Sequence, residues 1–63
     1  MNQISPASTN KLKALLADDD AGIRLTLGAL FEQKGYVVTA VENGMQAVDA
    51  LSNGEFDIVV LDI

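Results

Sequence analysis

Short apolar runs alternate with amphipathic stretches along this chain, and polar breaks separate them. Leu12, Ala14, Leu15, Leu16 and Ala17 form a run stopped abruptly by Asp18-Asp19-Asp20, the profile of a parallel strand covered on both faces. The period then changes. Ile23, Leu27, Leu30 and Phe31 recur at helical spacing, while Arg24, Glu32, Gln33 and Lys34 fall mostly on other faces. Asp20 is suited to cap this helix and Gly35 to end it in the left-handed conformation, so the pattern predicts a helix from about Ala21 to Lys34. Gly28 inside it is a mild fault, worth about 1 kcal/mol against Ala at an exposed site.

Tyr36 to Val41 is dominated by β-branched and aromatic residues and predicts a second strand, broken by Glu42-Asn43-Gly44. Asn43 can cap a second helix with Ala47, Val48 and Leu51 on one side, closed by Asn53 and Gly54. Phe56 to Leu61 contains Ile58, Val59, Val60 and Leu61 and predicts a third strand, again ended by an acid, Asp62. Strand, helix, strand, helix, strand at this spacing implies the α/β class, with a parallel sheet and right-handed crossovers. Residues 1–10, polar and small, read as a flexible N-terminal lead-in to a domain over 11–63.

Composition narrows the chemistry. Sixty-three residues make at most one domain with a marginal core and little room for an enclosed active site. A net charge of −5 disfavours nucleic-acid backbones and anionic membranes and favours divalent cations. With no Cys and no His, disulfides, thiolate metal sites and histidine-based triads are excluded. No apolar stretch is long enough to span a bilayer, and the start lacks a signal-peptide pattern, so a soluble, cytoplasmic protein is expected.

The first and third predicted strands both end in carboxylates, at Asp18-Asp19-Asp20 and at Asp62. Ligands of open α/β sheets bind beyond the strand C-termini where the topology reverses. In a flavodoxin-like order that point lies between strands 1 and 3, which would bring Asp18, Asp19 and Asp62 together. Carboxylates about 4 Å apart repel by roughly 4 kcal/mol at an effective dielectric near 20, and a hard divalent cation offsets this best. Asp62 could then attack phosphorus as a nucleophile.

Leu15-Leu16-Ala17-Asp18-Asp19-Asp20, Ile23-Arg24, Gly35-Tyr36, Glu42-Asn43-Gly44 with Ala47, and Phe56-Asp57 leading to Val60-Leu61-Asp62-Ile63 together resemble the first half of the receiver domains of two-component systems. The resemblance implies the N-terminal βαβαβ half of a flavodoxin-like parallel sheet, strand order 2-1-3. It implies Asp62 as phosphoacceptor, and Asp18 and Asp19 as the acidic pair that organises Mg²⁺, with Asp62 as a further ligand. Asp19 sits where the family's direct ligand lies, and Asp20 serves as the cap. The implied partner is a histidine kinase or phosphotransfer protein, and the implied role is that of a phosphoacceptor module, not a stand-alone catalyst.

Receiver domains continue with a Pro-containing loop, a phosphoryl-sensing Ser or Thr and a Lys, whereas this sequence stops one residue past Asp62. It is therefore expected to bind Mg²⁺ weakly and to be a poor phosphoacceptor by itself. A rival reading is a half-domain interaction module that pairs through an open third strand, with a missing C-terminal half or a second copy. A phosphohydrolase with an aspartyl nucleophile fits less well, because Asp18-Asp19-Asp20 offers its Asp-x-Asp spacing without a cap or a later phosphate-binding motif.

Overall fold

The computed structural model describes residues 11–62; the expected lead-in, residues 1–10, lies outside them, as does Ile63. Five elements follow one another: β1 (Lys13–Asp18), α1 (Ala21–Gln33), β2 (Val37–Val41), α2 (Gly44–Asn53) and β3 (Ile58–Asp62). The strands form one sheet in the order β2-β1-β3, parallel at both ladders, as the alternating pattern predicts. No helix among the described residues is long and apolar enough to cross a membrane.

Both helices begin where their caps are expected. Asp20 accepts a hydrogen bond from the Ile23 N–H at 3.0 Å, and Asn43 accepts one from the Gln46 N–H at 2.8 Å. Lys34 closes α1, and Gly35 follows at φ 95°, in the left-handed region where a side chain is strained.

Two strand starts differ from the expected ones, for visible reasons. Tyr36 finishes the helix end instead of opening β2: its N–H donates to the Phe31 carbonyl at 3.1 Å, and its ring meets that of Phe31 edge-on, 5.3 Å between centroids. Phe56 packs beside α2, outside β3. Asp57, an exposed acid in the bend before β3, also staples β1 to the start of β3. Its N–H donates to the Lys13 carbonyl at 2.8 Å, and its Oδ2 accepts from the Lys13 N–H at 2.7 Å.

Burial concentrates in one strand. Ala14, Leu15, Leu16 and Ala17 are buried because β2 and β3 pair with both edges of β1 while a helix lies over each face. Successive residues point to opposite faces, so Leu15 and Ala17 share one face, where they cluster with Ala47 of α2 and with the partly buried Val41, Ala50 and Phe56. On the α1 side, the expected stripe is only partly covered: Leu27 and Phe31 are half-buried, while Ile23 and Leu30 are exposed.

Since so small a chain depends on β1, Leu15→Ala is expected to cost about 2–5 kcal/mol, enough to leave a marginal domain largely unfolded. Met45→Ala, at a position 83% exposed, should change stability by less than about 0.5 kcal/mol. Urea titrations followed by far-UV circular dichroism measure both, and equal midpoints for the two variants would contradict this core.

Candidate phosphoacceptor and metal site

The two acids that end β1 and β3 are direct neighbours. Asp18 and Asp62 are register partners at the C-terminal edge of the sheet. Adjacent strands lie about 4.8 Å apart and register partners project to the same face, so the ladder sets these carboxylates side by side. Their environments differ sharply: Asp18 is 2% exposed, whereas Asp62 is open to solvent at the sheet edge.

The turn after β1 is built by its own acids. Asp18 Oδ1 accepts from the Asp20 N–H at 2.9 Å, Asp20 caps α1, and the Asp20 carbonyl accepts the Arg24 N–H at 3.0 Å. That assigns Asp18 and Asp20 to holding the loop. Asp19, between them, lies in the bend with its side chain exposed.

Arg24, which the helical pattern sets apart from the apolar stripe, is half-buried and turns toward the end of β1. Its Nη1 donates to the Asp18 backbone carbonyl at 2.7 Å, so a guanidinium borders the acidic loop and fixes the end of β1. The available sequence signal was position alone: Arg24 lies one turn into the helix that Asp20 starts.

Among the described residues, no set of three acid side chains is gathered closely enough to hold a metal ion. The ladder brings Asp18 and Asp62 together, and Asp19 stands just past the strand end. One atom nevertheless has the character of a cation ligand. Asp18 Oδ2 is buried and has no hydrogen-bond donor among the described residues. A buried carboxylate oxygen without a donor is costly, and the register partner of its residue is a second acid. Oxygen donors of this kind suit Mg²⁺, which uses one or two carboxylates and keeps water in its remaining positions. The residues present therefore fit the ion that the acidic pattern calls for.

Comparison with known proteins points the same way. The family model described as the response regulator receiver domain matches residues 14–63. Sporulation initiation phosphotransferase F of Bacillus subtilis (strain 168) is 39% identical over 51 residues, covering 81% of this chain and 41% of that protein. Transcriptional regulatory protein ResD of the same strain is 34% identical over 55 residues, covering 87% of this chain and 23% of that protein. Probable histidine kinase 1 of Oryza sativa subsp. indica is 32% identical over 62 residues, covering 98% of this chain and 6% of that protein. The chain thus spans 41% or less of the length of each of these relatives. No solved structure matches it significantly.

Removing the charge of Asp18 should relieve the orphaned oxygen. Asp18→Asn keeps an oxygen for the Asp20 N–H and gives an amide that can donate toward Asp62, so a gain of about 1 kcal/mol is expected without divalent metal. Excess Mg²⁺ should raise the melting temperature of the unaltered chain more than that of the variant. Thermal melts in EDTA and in Mg²⁺ read both effects, and equal Mg²⁺ responses would remove Asp18 from the site.

Proposed function

The chain belongs to the response regulator receiver domain family, and from that premise we propose that its residues 11–63 form the first part of a phosphoryl-accepting signalling domain with Asp62 as the acceptor. The observation that carries the reading is the register pairing of Asp62 with Asp18, which puts an exposed carboxylate beside a buried one at the C-terminal edge of a parallel sheet.

In the proposed reaction, a carboxylate oxygen of Asp62 forms a bond to phosphorus. The phosphorus–nitrogen bond of a phosphohistidine donor breaks, and its electron pair stays on the imidazole, which takes up a proton. Asp62 suits this role because β3 fixes its backbone while its side chain meets solvent, where a donor can approach in line. Asp18 and Asp62 would supply the carboxylates for Mg²⁺, with Asp19 joining them only if its side chain moves in from the bend, and the ion when bound would neutralise charge on the phosphoryl oxygens. Arg24 acts through position, its grip on the Asp18 carbonyl keeping the turn at the end of β1.

This reading makes the chain a phosphoacceptor module, not a stand-alone catalyst, working in the cytoplasm with a histidine kinase or phosphotransfer protein as donor. Support for that partner class comes from the names of its relatives, which include a phosphotransferase and a probable histidine kinase. A second reading rests on β3, whose outer edge is unpaired among the described residues and whose Val59 and Leu61 are exposed. Such an edge accepts another strand, from the rest of a receiver domain or from a second copy.

Incubation with a small acyl phosphate and Mg²⁺, followed by intact-mass analysis and peptide mapping, tests the proposal. Substoichiometric labelling confined to Asp62 is expected, lost in Asp62→Asn and abolished by EDTA. Label on Asp62→Asn equal to that of the unaltered chain would refute the acceptor assignment. Complete labelling would instead refute the expectation that these 63 residues are a weak acceptor on their own.

A further inference from the structure

Asp62 lies opposite Asp18 only because β3 pairs with β1 at one register, from Ala14 with Ile58 to Asp18 with Asp62. The apolar side chains select that register poorly. β1 contributes Ala14-Leu15-Leu16-Ala17 and β3 contributes Ile58-Val59-Val60-Leu61, so a slip of two residues still sets apolar against apolar and keeps each side chain on its own face. Burial adds little discrimination, since Val59 and Leu61 are exposed and Ile58 and Val60 only half-buried. Such a slip would nevertheless carry Asp62 about 7 Å along the strand, opposite Leu16 or past the end of β1.

Polar contacts at the other end of the strand do discriminate. The Asp57 N–H donates to the Lys13 carbonyl at 2.8 Å, and Asp57 Oδ2 accepts from the Lys13 N–H at 2.7 Å, so one residue engages both backbone groups of another. The bond to the carboxylate is charge-assisted and short. Lys13 and Asp57 are 44 residues apart in sequence, the same offset that separates Asp18 from Asp62 at the far end of the two strands. A slip in either direction would break both bonds. Phe56, just before Asp57, packs against the Leu15, Ala17 and Ala47 cluster and brings the chain back from α2, but apolar contact lacks the directionality that fixes a hydrogen-bonding step.

We propose that Asp57 is a positioning residue for the acceptor: by fixing the offset between β1 and β3 at Lys13, it holds Asp62 opposite Asp18 about 16 Å away. Its functional meaning rests on the acceptor reading, whereas the register exists with or without phosphorylation. Asp57 works through an acceptor oxygen and not through its charge, so an amide oxygen can replace it.

Nuclear magnetic resonance of the isotope-labelled full chain tests the register. In Asp57→Ala the cross-strand backbone contacts between Asp18 and Asp62 should weaken, and a second set, Leu16 with Asp62 or Asp18 with Val60, should appear. Asp57→Asn, which keeps an oxygen for the Lys13 N–H, should retain the original set alone. Labelling of Asp62 by a small acyl phosphate with Mg²⁺, counted per folded molecule, should fall about fivefold in Asp57→Ala, the weight of one hydrogen bond, and return in Asp57→Asn. Ala50→Gly, a destabilising change within α2, should move neither readout per folded molecule. Where Asp57→Ala does not fold, a disulfide between Ala14→Cys and Ile58→Cys, register partners in a chain without cysteine, should restore both fold and labelling. The original contacts alone in Asp57→Ala would give the register to Phe56 and overturn the proposal. So would equal losses in Asp57→Asn and Asp57→Ala, or a locked Asp57→Ala that folds without recovering its label. An unaltered chain that takes no label would refute the acceptor reading instead, with the register contacts still deciding the role of Asp57.

Discussion

The core closes around one strand. Ala14 to Ala17 are buried because β2 and β3 take up the hydrogen-bonding edges of β1 and the helices cover its faces, and among the described residues no other strand has all four sides occupied. A small chain must place its limited apolar burial where it removes the most surface from water, and the middle strand of a doubly wound unit is that place. The rest of the structure depends on this arrangement. The crossovers exist to return β2 and β3 to the flanks of β1, and the Asp57 staple to Lys13 sets the register in which β3 does so.

The same arrangement produces the chemistry. Burial extends one residue beyond the apolar run, to Asp18, so a carboxylate is carried inside by a strand too well held to release it. One of its oxygens is satisfied by the turn that starts α1 and the other is not. Local rules and the global fold disagree at this residue, and such disagreements gather at functional sites. Because β3 runs parallel to β1 and in register, the neighbouring position belongs to a second acid, and the repulsion between them disfavours the site until charge of opposite sign arrives.

Much of this was legible in the residues. The change of period between β1 and α1, the caps at Asp20 and Asn43, and the β-branched run after Tyr36 determined the element order, because each feature acts within a few residues of itself. The acids ending β1 and β3 could be picked out as a pair, but their adjacency follows from a ladder between residues far apart in the chain. Interactions of that range stayed out of reach. The bond of the bend acid Asp57 to Lys13 and that of Arg24 to Asp18 both end on backbone groups, which carry no sequence signature.

The helices show the other side of a small core. The α2 contact centres on Ala47, a residue small enough to bring the helix close to Leu15 and Ala17, whereas α1 buries none of its residues. In α1, apolar side chains stand on more than one side: Leu27 and Phe31 are half-buried, while Leu25 is turned outward. A helix patterned this way gives up amphipathic contrast, which for a chain this size is a loss of stability that packing on the sheet does not recover. Gly28 adds to that loss through its backbone entropy, and the Cβ position it leaves vacant has room to be filled. That position lies on the side of α1 facing Val38 of β2, whereas Leu25 stands largely exposed. Both helices carry apolar side chains that the described residues leave uncovered, Leu25 and Leu30 on α1 and Met45 and Val48 on α2, and each therefore has an outer surface as well as one against the sheet.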